Sequence, residues 1–383
     1  MIETEAWVLH QGDGSRQPGQ LVLEQFSFSE PDDTEVLAEP LYGTWEGNMT
    51  HAMTRNPVDV CRLRMERRIV LGNAGVVRVV ETGKNVTRCR PGDVCVVIPI
   101  GKPDSQGYPI EVYGYDNRGS VGLLAKRTKL REDQLIPLPR ETRYSLLQWA
   151  GTSVRYATAW DNWRVTWACW RSQWTNGIAP TPHVWGWGGG VALAELLLAK
   201  RAGCRVAMIA SNSERLRQIS ALGITPVDRR EFLELSFDAA RHGADIDYRT
   251  AYAAAEVAFL RKVRQLTDGQ RVSIFIDNIG TPVLRATLKA LARYGVLTTV
   301  GWEGGTDMQF RRPTECIGRH IHIFTHGSSY EGGDAAIADA EAAGEILPVG
   351  DDVYDWARIP QLAEDFAAGR IRGYFPIYKV NGA

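Results

Sequence analysis

The sequence predicts an α/β protein with two domains, one rich in β-strands and one built on a doubly wound parallel sheet. Short apolar runs separated by Gly and Pro dominate the first 150 residues, which is typical of an irregular β-barrel. After residue 180, strand-like and helix-like segments alternate, which indicates a parallel sheet with right-handed crossovers. We expect one domain to comprise residues 1–150 and 331–383, and the other residues 151–330.

Composition excludes several classes of function. The chain has 383 residues, enough for two domains, and its net charge of −1 gives no sign of nucleic acid or an anionic membrane as the main partner. The first residues do not form a secretory signal, and no apolar run approaches the ~18 residues of a membrane span. The six cysteines are scattered without a Cys-x-x-Cys pair, which favours reduced thiols and a cytoplasmic location.

The β-rich domain is predicted from short alternating or apolar runs. The expected strands are 4–9, 21–28, 34–40, 76–81 and 93–99, with 119–129 and 134–138 continuing the pattern. Towards the C-terminus we expect helices at 334–344 and 359–369, and a strand at 374–380 that returns to this domain.

A long helix is expected between the two domains, over residues 145–174. Five tryptophans recur in it at alternating spacings of three and four, which places them on one face. They are Trp160, Trp163, Trp167, Trp170 and Trp174. The stripe is either an aromatic wall beside a planar ligand or part of a packed core. We favour the core, because large aromatic side chains dominate buried surfaces.

The second domain is predicted from strands that alternate with helices. The expected strands are 183–187, 205–210, 272–277, 295–300 and 320–325, and the expected helices include 213–222 and 281–293. Residues 229–267 are longer than a usual connection, and their Ala-rich part at 252–265 indicates an inserted helix.

The chain is organised around a glycine turn after the first of these strands. Glycines let a backbone turn sharply and approach a ligand closely, and the helix that follows opens with free N–H groups that suit a pyrophosphate. Strand, turn, helix and second strand together predict a dinucleotide site. The residues expected to contact the cofactor are Gly186, Trp187, Gly188, Gly189, Gly190 and Val191. The alternative is a glycine-rich turn in an unrelated α/β protein.

The end of the second strand indicates which nucleotide binds. An acidic residue at this tip selects NAD, but here Ser211 and Asn212 occupy it, with Arg215 one turn later. Arg holds a 2′-phosphate that an acid would repel, so we predict NADPH. In the other interpretation Ser211 or Ser213 only caps the next helix, and Glu214 turned towards the ribose would favour NAD.

The order of motifs resembles the medium-chain dehydrogenase/reductase superfamily. The likeness rests on Pro91-Gly92-Asp93, Thr158-Ala159-Trp160, the glycine turn, Ile276-Asp277-Asn278-Ile279-Gly280 and Val300-Gly301. It implies a GroES-like β-barrel domain plus a Rossmann domain, an active site between them, and a homodimer. It also implies that Thr158, Asn278 and Gly301 contact the nicotinamide end of the cofactor.

The resemblance also bears on metal binding. Zinc-dependent members carry Cys, His and Glu where this sequence has Trp45, Asn73 and Ala74, and the four-cysteine lobe is missing. A catalytic zinc needs three protein ligands and an open position. We therefore expect no metal. The resemblance then implies an activity as well, because zinc-independent members are mostly NADPH-dependent reductases of activated double bonds or quinones.

Within that branch the sequence is most similar to crotonyl-CoA reductases and their reductive carboxylase relatives. The likeness rests on Val184-Trp185-Gly186, Tyr113-Gly114-Tyr115-Asp116 with Gly119-Ser120, the long insertion, and residues 325–330. The carboxylases hold carbon dioxide with Asn, Phe, Glu and His. By alignment, Val121 and Leu123 stand where Phe and Glu are expected, the Asn is absent, and only His326 remains. Reduction without carboxylation is therefore expected.

The candidate catalytic residues follow from hydride transfer to the β-carbon of an unsaturated acceptor, which develops negative charge on a carbonyl oxygen. His326 is expected to deliver the proton, unless it is only a structural loop histidine. Glu46, Asn48 and His51 would orient the substrate or relay a proton, although Glu46 also fits a surface salt bridge. Asn73 would donate to the enolate, and Tyr115 is a weaker donor candidate.

Three functions compete at this point. The first is an NADPH-dependent reductase of an enoyl thioester or enone, a small molecule carried on coenzyme A or a carrier protein. The second is a quinone-type oxidoreductase, for which NADPH and an open aromatic cleft suffice. The third is a non-catalytic NADPH-binding protein, since one fold supports many functions.

Overall fold

The computed structural model describes residues 1–15, 17–174, 177, 179–301, 303–305, 307–310, 312–329, 331–344 and 353–382, without the side chains of residues 314 and 315. The chain divides into two compact units. Unit 1 comprises Met1–Ala157 and Ser329–Ala383, and unit 2 comprises Thr158–Ser328. No helix in the described part of the chain is both long and apolar enough to cross a membrane.

The first part of unit 1 is mostly β. Its strands are β1 (Ile2–His10), β2 (Leu21–Phe28), β3 (Glu35–Thr44), β4 (Arg68–Val70), β5 (Gly75–Thr82), β6 (Val94–Val97), β7 (Ile100–Pro103), β8 (Pro109–Val112), β9 (Thr128–Arg131) and β10 (Leu135–Pro137). Two short helices, α1 (Gly47–Thr54) and α2 (Val60–Arg64), follow β3, and the long helix α3 (Leu146–Ser172) follows β10. The predicted long helix is thus confirmed.

The described residues of unit 2 form six strands and the helices between them. The strands are β11 (His183–Trp187), β12 (Arg205–Ala210), β13 (Thr225–Asp228), β14 (Val272–Asp277), β15 (Leu291–Thr299) and β16 (His322–Thr325). The helices are α4 (Gly190–Arg201), α5 (Ser213–Ala221), α6 (Ala239–Ala244), α7 (Ile246–Leu266) and α8 (Thr281–Ala290). All strand pairs are parallel, in the order β13-β12-β11-β14-β15-β16. This is the doubly wound order, which reverses between β11 and β14.

The chain then returns to unit 1 through α9 (Gly333–Ala343), β17 (Val353–Tyr354), α10 (Ile359–Ala367) and β18 (Ile377–Lys379). There, β18 pairs antiparallel with β3 and joins the sheet β10-β6-β5-β3-β18-β17, to which β9 adds through β3. A smaller sheet has the order β2-β1-β4. The predicted α/β class, with a β-rich barrel-like part and a Rossmann sheet, is confirmed, as is the returning C-terminal strand.

Two predicted elements are wrong. Residues 119–129 do not form one strand, because Gly119 has a φ of +77° and turns the chain. Only isolated bridges at Val121 and Ala125 precede β9. Helix α8 ends at Ala290 instead of residue 293, since Leu291 already pairs with Val272 in the sheet.

The tryptophan stripe on α3 packs as a row of rings. Trp163 and Trp167 stack with centroids 5.3 Å apart, as do Trp167 and Trp170, and Trp170 lies 5.8 Å from Trp174. Trp163 and Trp170 are buried. The row therefore lies on one helix face and contributes to packing, as the core interpretation predicts.

Candidate functional site

The glycine turn joins β11 to α4 at the carboxyl edge of the unit 2 sheet. Gly188 has a φ of +137°, and a β-carbon there would lie 3.1 Å from Cβ of Asn278. Gly189 is the exposed N-cap of α4, and a β-carbon on it would meet open space. The first N–H groups of α4 are therefore reachable by an anion.

The other predicted residues of the turn have packing roles. Gly186 allows Leu196 of α4 to approach the strand, since a β-carbon there would lie 3.3 Å from Leu196 Cδ1. The Trp187 ring is buried and stacks on Phe259 at 5.3 Å, so only its backbone faces the turn. Gly190 is buried and Val191 half-buried at the start of α4.

Asn278 connects three strand ends at this edge. Its Oδ1 accepts a hydrogen bond from Val300 N at 3.0 Å, and a β-carbon on Gly301 would lie 3.3 Å from its Cβ. Its side chain also sits against Gly188. Within the described residues its buried Nδ2 has no hydrogen-bond partner. The ends of β11, β14 and β15 are therefore fixed around one amide with an unused donor.

Asp277, which sequence reasoning did not single out as a site residue, shapes the turn after β14. Its Oδ1 accepts from the N–H groups of Ile279 and Gly280 at 3.1 and 2.9 Å, and its Oδ2 accepts from Thr287 Oγ1 at 2.9 Å. Burial raises the pKa of this carboxyl group despite these bonds. An Asp before Asn and Gly is a turn signal that could have identified it.

At the end of β12, Asn212 is the residue that caps α5. Its Oδ1 accepts from the N–H groups of Glu214 and Arg215 at 2.8 and 3.3 Å, so the predicted capping by Ser211 or Ser213 is wrong. The amide is favoured because it reaches both N2 and N3 donors. The Glu214 carboxylate pairs with Arg217 and accepts from Gln218 on its own helix.

His326 follows β16 and lies close to a carboxylate on α3. Its main-chain N–H donates to the carbonyl oxygen of Thr299 at 2.9 Å, and its imidazole ring stacks on the Phe324 ring with centroids 5.4 Å apart. Burial lowers the pKa of this imidazole, while Asp161 acts in the opposite direction. Asp161 Oδ2 also accepts from Ser328 Oγ at 2.7 Å. Thr158, near the start of unit 2, is half-buried on α3.

In unit 1, a polar cluster comprises Glu46, Asn48, Asn73, Arg155 and Tyr378. Glu46 Oε1 accepts from Thr44 Oγ1 at 3.0 Å and lies 2.9 Å from Arg155 Nη1. Arg155 is buried and donates through Nη2 to the carbonyl oxygen of Trp45 at 3.1 Å. Glu46 is therefore a salt-bridge partner, as one interpretation predicts, but its partner is a buried arginine and not a surface group.

Burial affects this cluster in two ways: it shifts the pKa of Glu46, and it leaves two amide oxygens without hydrogen-bond partners among the described residues. It raises the pKa of the Glu46 carboxyl group, and Arg155 and Thr44 partly offset that effect. Asn48 Oδ1 and Asn73 Oδ1 are sealed from solvent and have no hydrogen-bond partner within the described chain. Buried polar atoms of this kind are normally satisfied by water or a ligand.

Two further predicted residues, His51 and Tyr115, also lie in unit 1. His51 is half-buried on α1, and burial lowers the pKa of its imidazole. Tyr115 follows β8 and packs against the hydrophobic core of unit 1, which raises the pKa of its phenol.

The three positions that we expected to replace zinc ligands, Trp45, Asn73 and Ala74, carry apolar or amide side chains. Trp45 and Ala74 are fully buried, and Trp45 Nε1 donates to Thr50 Oγ1 at 2.9 Å. Within the described ranges, no three His, Cys, Asp or Glu side chains come together as a metal site would require.

Sequence reasoning missed Arg155 and Tyr378. Tyr378 is fully buried on β18 opposite Gly43, where a β-carbon would lie 2.3 Å from its Cζ. Arg155 lies on the long helix α3, and its guanidinium stacks 5.3 Å from the Phe375 ring. Local sequence gave no signal for either residue, although a Gly in mid-strand does indicate a close approach.

Comparison with protein families identifies the later part of the chain. Residues 190–338 match the family model described as zinc-binding dehydrogenase. The resemblance to medium-chain dehydrogenases and reductases is thus confirmed. No curated protein sequence matches this chain.

Solved structures resemble this chain over nearly its full length. A crotonyl-CoA carboxylase/reductase is 18% identical with a TM-score of 0.79, covering 99% of this chain and 88% of the other. The 2-octenoyl-CoA carboxylase reductase CinF, solved with NADP and 2-octenoyl-CoA, is also 18% identical with a TM-score of 0.79, covering 98% and 87%. A putative alcohol dehydrogenase from Sinorhizobium meliloti 1021 is 18% identical with a TM-score of 0.72, covering 99% and 100%. These likenesses confirm the fold.

Proposed function

We propose that this protein is an NADPH-dependent oxidoreductase that reduces an activated carbon–carbon double bond, in an enoyl thioester or enone, without zinc and without carboxylation. The observation that carries the proposal is the glycine turn against Asn278, at the point where the strand order of unit 2 reverses. Structures with this fold include enzymes solved with NADP, among them CinF.

The residues at this edge fit a dinucleotide. Gly188 occupies a backbone conformation that favours glycine, and Gly189 leaves open space at the start of α4. The pyrophosphate would be held by the N–H groups of residues 188–191, and the nicotinamide end by Asn278, Gly301 and Thr158. When bound, NADPH supplies the hydride.

The end of β12 supports NADPH over NADH. Asn212 is used as a helix cap, and the Glu214 carboxylate is held on its own helix by Arg217. No carboxylate is then offered to a ribose hydroxyl from this tip among the described residues. Ser211 and Arg215 would bind the 2′-phosphate.

Proton handling is assigned to His326 in unit 2 and to the polar cluster in unit 1. Because burial lowers the pKa of His326, its ring is mostly neutral at neutral pH and serves as a hydrogen-bond donor to a developing oxyanion. In unit 1, Glu46, Asn48 and His51 would orient the acceptor and relay a proton, Asn73 Nδ2 would donate to the enolate oxygen, and Tyr115 stays a weaker candidate.

Two observations support the absence of zinc and of carboxylation. Trp45 and Ala74 are buried in the core, where neither can bind a metal. Val121 and Leu123, at the positions that Phe and Glu occupy in the carboxylases, are buried and apolar. Leu123 therefore has no polar group in place of the Glu carboxylate.

The test is NADPH consumption with a panel of enoyl-CoA thioesters and enones, each with and without bicarbonate, with NADH and a quinone as comparisons. We expect turnover on a thioester that bicarbonate does not change and that NADH supports poorly. Turnover on the quinone alone, or carboxylated product, would contradict the proposal. Light scattering on the same sample tests the expected homodimer, and fractionation of the source cells tests the cytoplasmic location.

A further inference from the structure

Tyr378 lies where two glycines make room for it. Its ring crosses over Gly43 of the neighbouring strand, and its hydroxyl reaches Gly72, where a β-carbon would be 2.9 Å away. Gly72 has a φ of +112°, which favours glycine. The hydroxyl group therefore ends at the turn that carries Asn73.

Two complementary polar atoms are left unsatisfied at this turn. Tyr378 Oη and Asn73 Oδ1 are both sealed from solvent, and neither has a hydrogen-bond partner in the described part of the chain. A hydroxyl can donate, and an amide oxygen needs a donor. Leaving these two buried atoms without hydrogen bonds would be unfavourable, whereas one buried water that bonds to both would satisfy them. The other end of the same amide differs: unlike Oδ1, Asn73 Nδ2 is not a solvent-sealed atom without a hydrogen-bond partner.

We propose that Tyr378 is a positioning residue, which through one buried water holds Asn73 Oδ1 and thereby presents Asn73 Nδ2 to the carbonyl oxygen of the acceptor. The inference rests on the proposed function, in which Asn73 donates to the enolate. Tyr378 itself does not contact the acceptor. It fixes which end of the amide side chain faces outward.

The electrostatic surroundings agree with a donor role. Burial and the nearby Glu46 carboxylate raise the pKa of Tyr378. The phenol therefore keeps its proton throughout the working pH range and can donate continuously. A base at this position would instead need a lowered pKa.

Tyr113 provides a matched control in the same unit. It is also buried, but its hydroxyl donates to the carbonyl oxygen of Val121 at 2.5 Å and lies 2.7 Å from Thr128 Oγ1. Tyr113→Phe removes bonds that are made within the protein, so it should lower Tm and leave kcat unchanged.

The test substitution is Tyr378→Phe, which keeps the ring over Gly43 and removes only the hydroxyl. We expect an unchanged or higher Tm, a kcat lowered about tenfold, which is the factor for one hydrogen bond lost in the transition state, and little change in KM. In an Asn73→Ala background the same substitution should have no further effect on kcat. An unchanged kcat, or an equal loss in both backgrounds, would overturn the proposal.

A high-resolution crystal structure of the wild-type protein tests the water independently of activity. An ordered water within hydrogen-bond distance of Tyr378 Oη and Asn73 Oδ1 supports the positioning role, and an empty space or a direct bond between other partners overturns it. If the wild-type protein turns over no acceptor, the proposed function fails, and the water still decides whether Tyr378 orients Asn73.

Discussion

The two candidate regions are built from different parts of the chain. At the carboxyl edge of the unit 2 sheet, glycines and main-chain groups form most of the surface. In the unit 1 polar cluster, side chains form it. The edge gains its shape from Gly188, Gly189 and the turn after β14, where Asp277 satisfies two N–H groups. The cluster instead depends on an ion pair between the half-buried Glu46 and the buried Arg155, in a unit that also holds amide oxygens with no partner within the described residues.

The difference separates two kinds of constraint. A site made of main chain tolerates many side-chain changes but not a β-carbon in the wrong place, because the backbone conformation itself binds the ligand. A site made of paired charges is most sensitive to the loss of one charged side chain, because the remaining partner is left unpaired in an apolar surrounding.

The largest effect is expected for Arg155→Met. Removing the guanidinium leaves the half-buried Glu46 carboxylate unpaired, which should lower the free energy of unfolding by about 3 kcal/mol in urea denaturation. The double substitution with Glu46→Gln should recover much of that loss, since neither charge then remains. A loss below about 1 kcal/mol in the single variant would show that the pair behaves like a surface salt bridge.

The next largest effect is expected for Gly188→Ala, compared with Gly189→Ala, on stability and NADPH binding. The first places a β-carbon at a φ of +137° and 3.1 Å from Asn278, so we expect a loss of about 1–3 kcal/mol in stability and weaker NADPH binding. The second meets open space, so thermal stability should hold, and any loss of affinity reports contact with the ligand. Fluorescence titration and thermal melts separate the two effects. Equal behaviour of both variants would contradict the assignment.

The same contrast explains what the sequence could and could not predict. The strands around the glycine turn are identified correctly because their signals are local: apolar runs, glycines and a helix start within a few residues. The pairing of Glu46 with Arg155, and the placement of Tyr378 over Gly43, depend on β18 returning to β3 and on α3 crossing unit 1. No local pattern marks such partners, because chain positions far apart meet only in the folded structure.

Errors in the element boundaries have a similar origin. Residues 288–293 continue a helical pattern, yet Leu291 enters the sheet because pairing with Val272 buries it completely. Strand β13 escaped prediction because Thr225–Asp228 is a four-residue strand that includes a proline, and its pairing with β12 is the reason it is extended. In both cases tertiary packing overrides local preference.

Glu195 sharpens the comparison because it is a buried carboxyl group in unit 2 that has no cationic partner among the described residues. It is fully buried on α4, and Asn162 Nδ2 donates to its Oε2 at 2.6 Å. Burial raises its pKa well above 4.5, so the folded protein holds a proton that the unfolded chain releases above that pH. The free energy of unfolding therefore falls as the pH rises from about 4.5 towards the folded pKa.

Glu195→Gln should remove this dependence. We expect the variant to match the wild type near pH 4.5 and to be up to about 2 kcal/mol more stable by pH 6, because each pH unit in this window contributes about 1.4 kcal/mol. Urea unfolding at several pH values measures the difference. Glu46→Gln is the informative counterpart: burial also raises the pKa of Glu46, so its pH dependence should have the same direction, with a smaller amplitude because Arg155 and Thr44 offset part of the effect of burial. A constant gap between wild type and Glu195→Gln across the range would contradict a neutral Glu195.

The smallest effect is expected at the end of β12, for Arg215→Ala. If Arg215 binds the 2′-phosphate, its loss should raise the Kd for NADPH about tenfold and leave that for NADH unchanged, the usual size of one charge-assisted contact. Arg205→Ala is the matched control, because this exposed arginine pairs with Asp268 at the opposite end of β12 and should leave both affinities unaltered. The contact is electrostatic and near the surface, so the preference for NADPH should also shrink as the salt concentration rises. An equal loss of affinity for both nucleotides would place Arg215 at a part of the cofactor that they share, and the preference would then depend on Ser211 and the main chain around it.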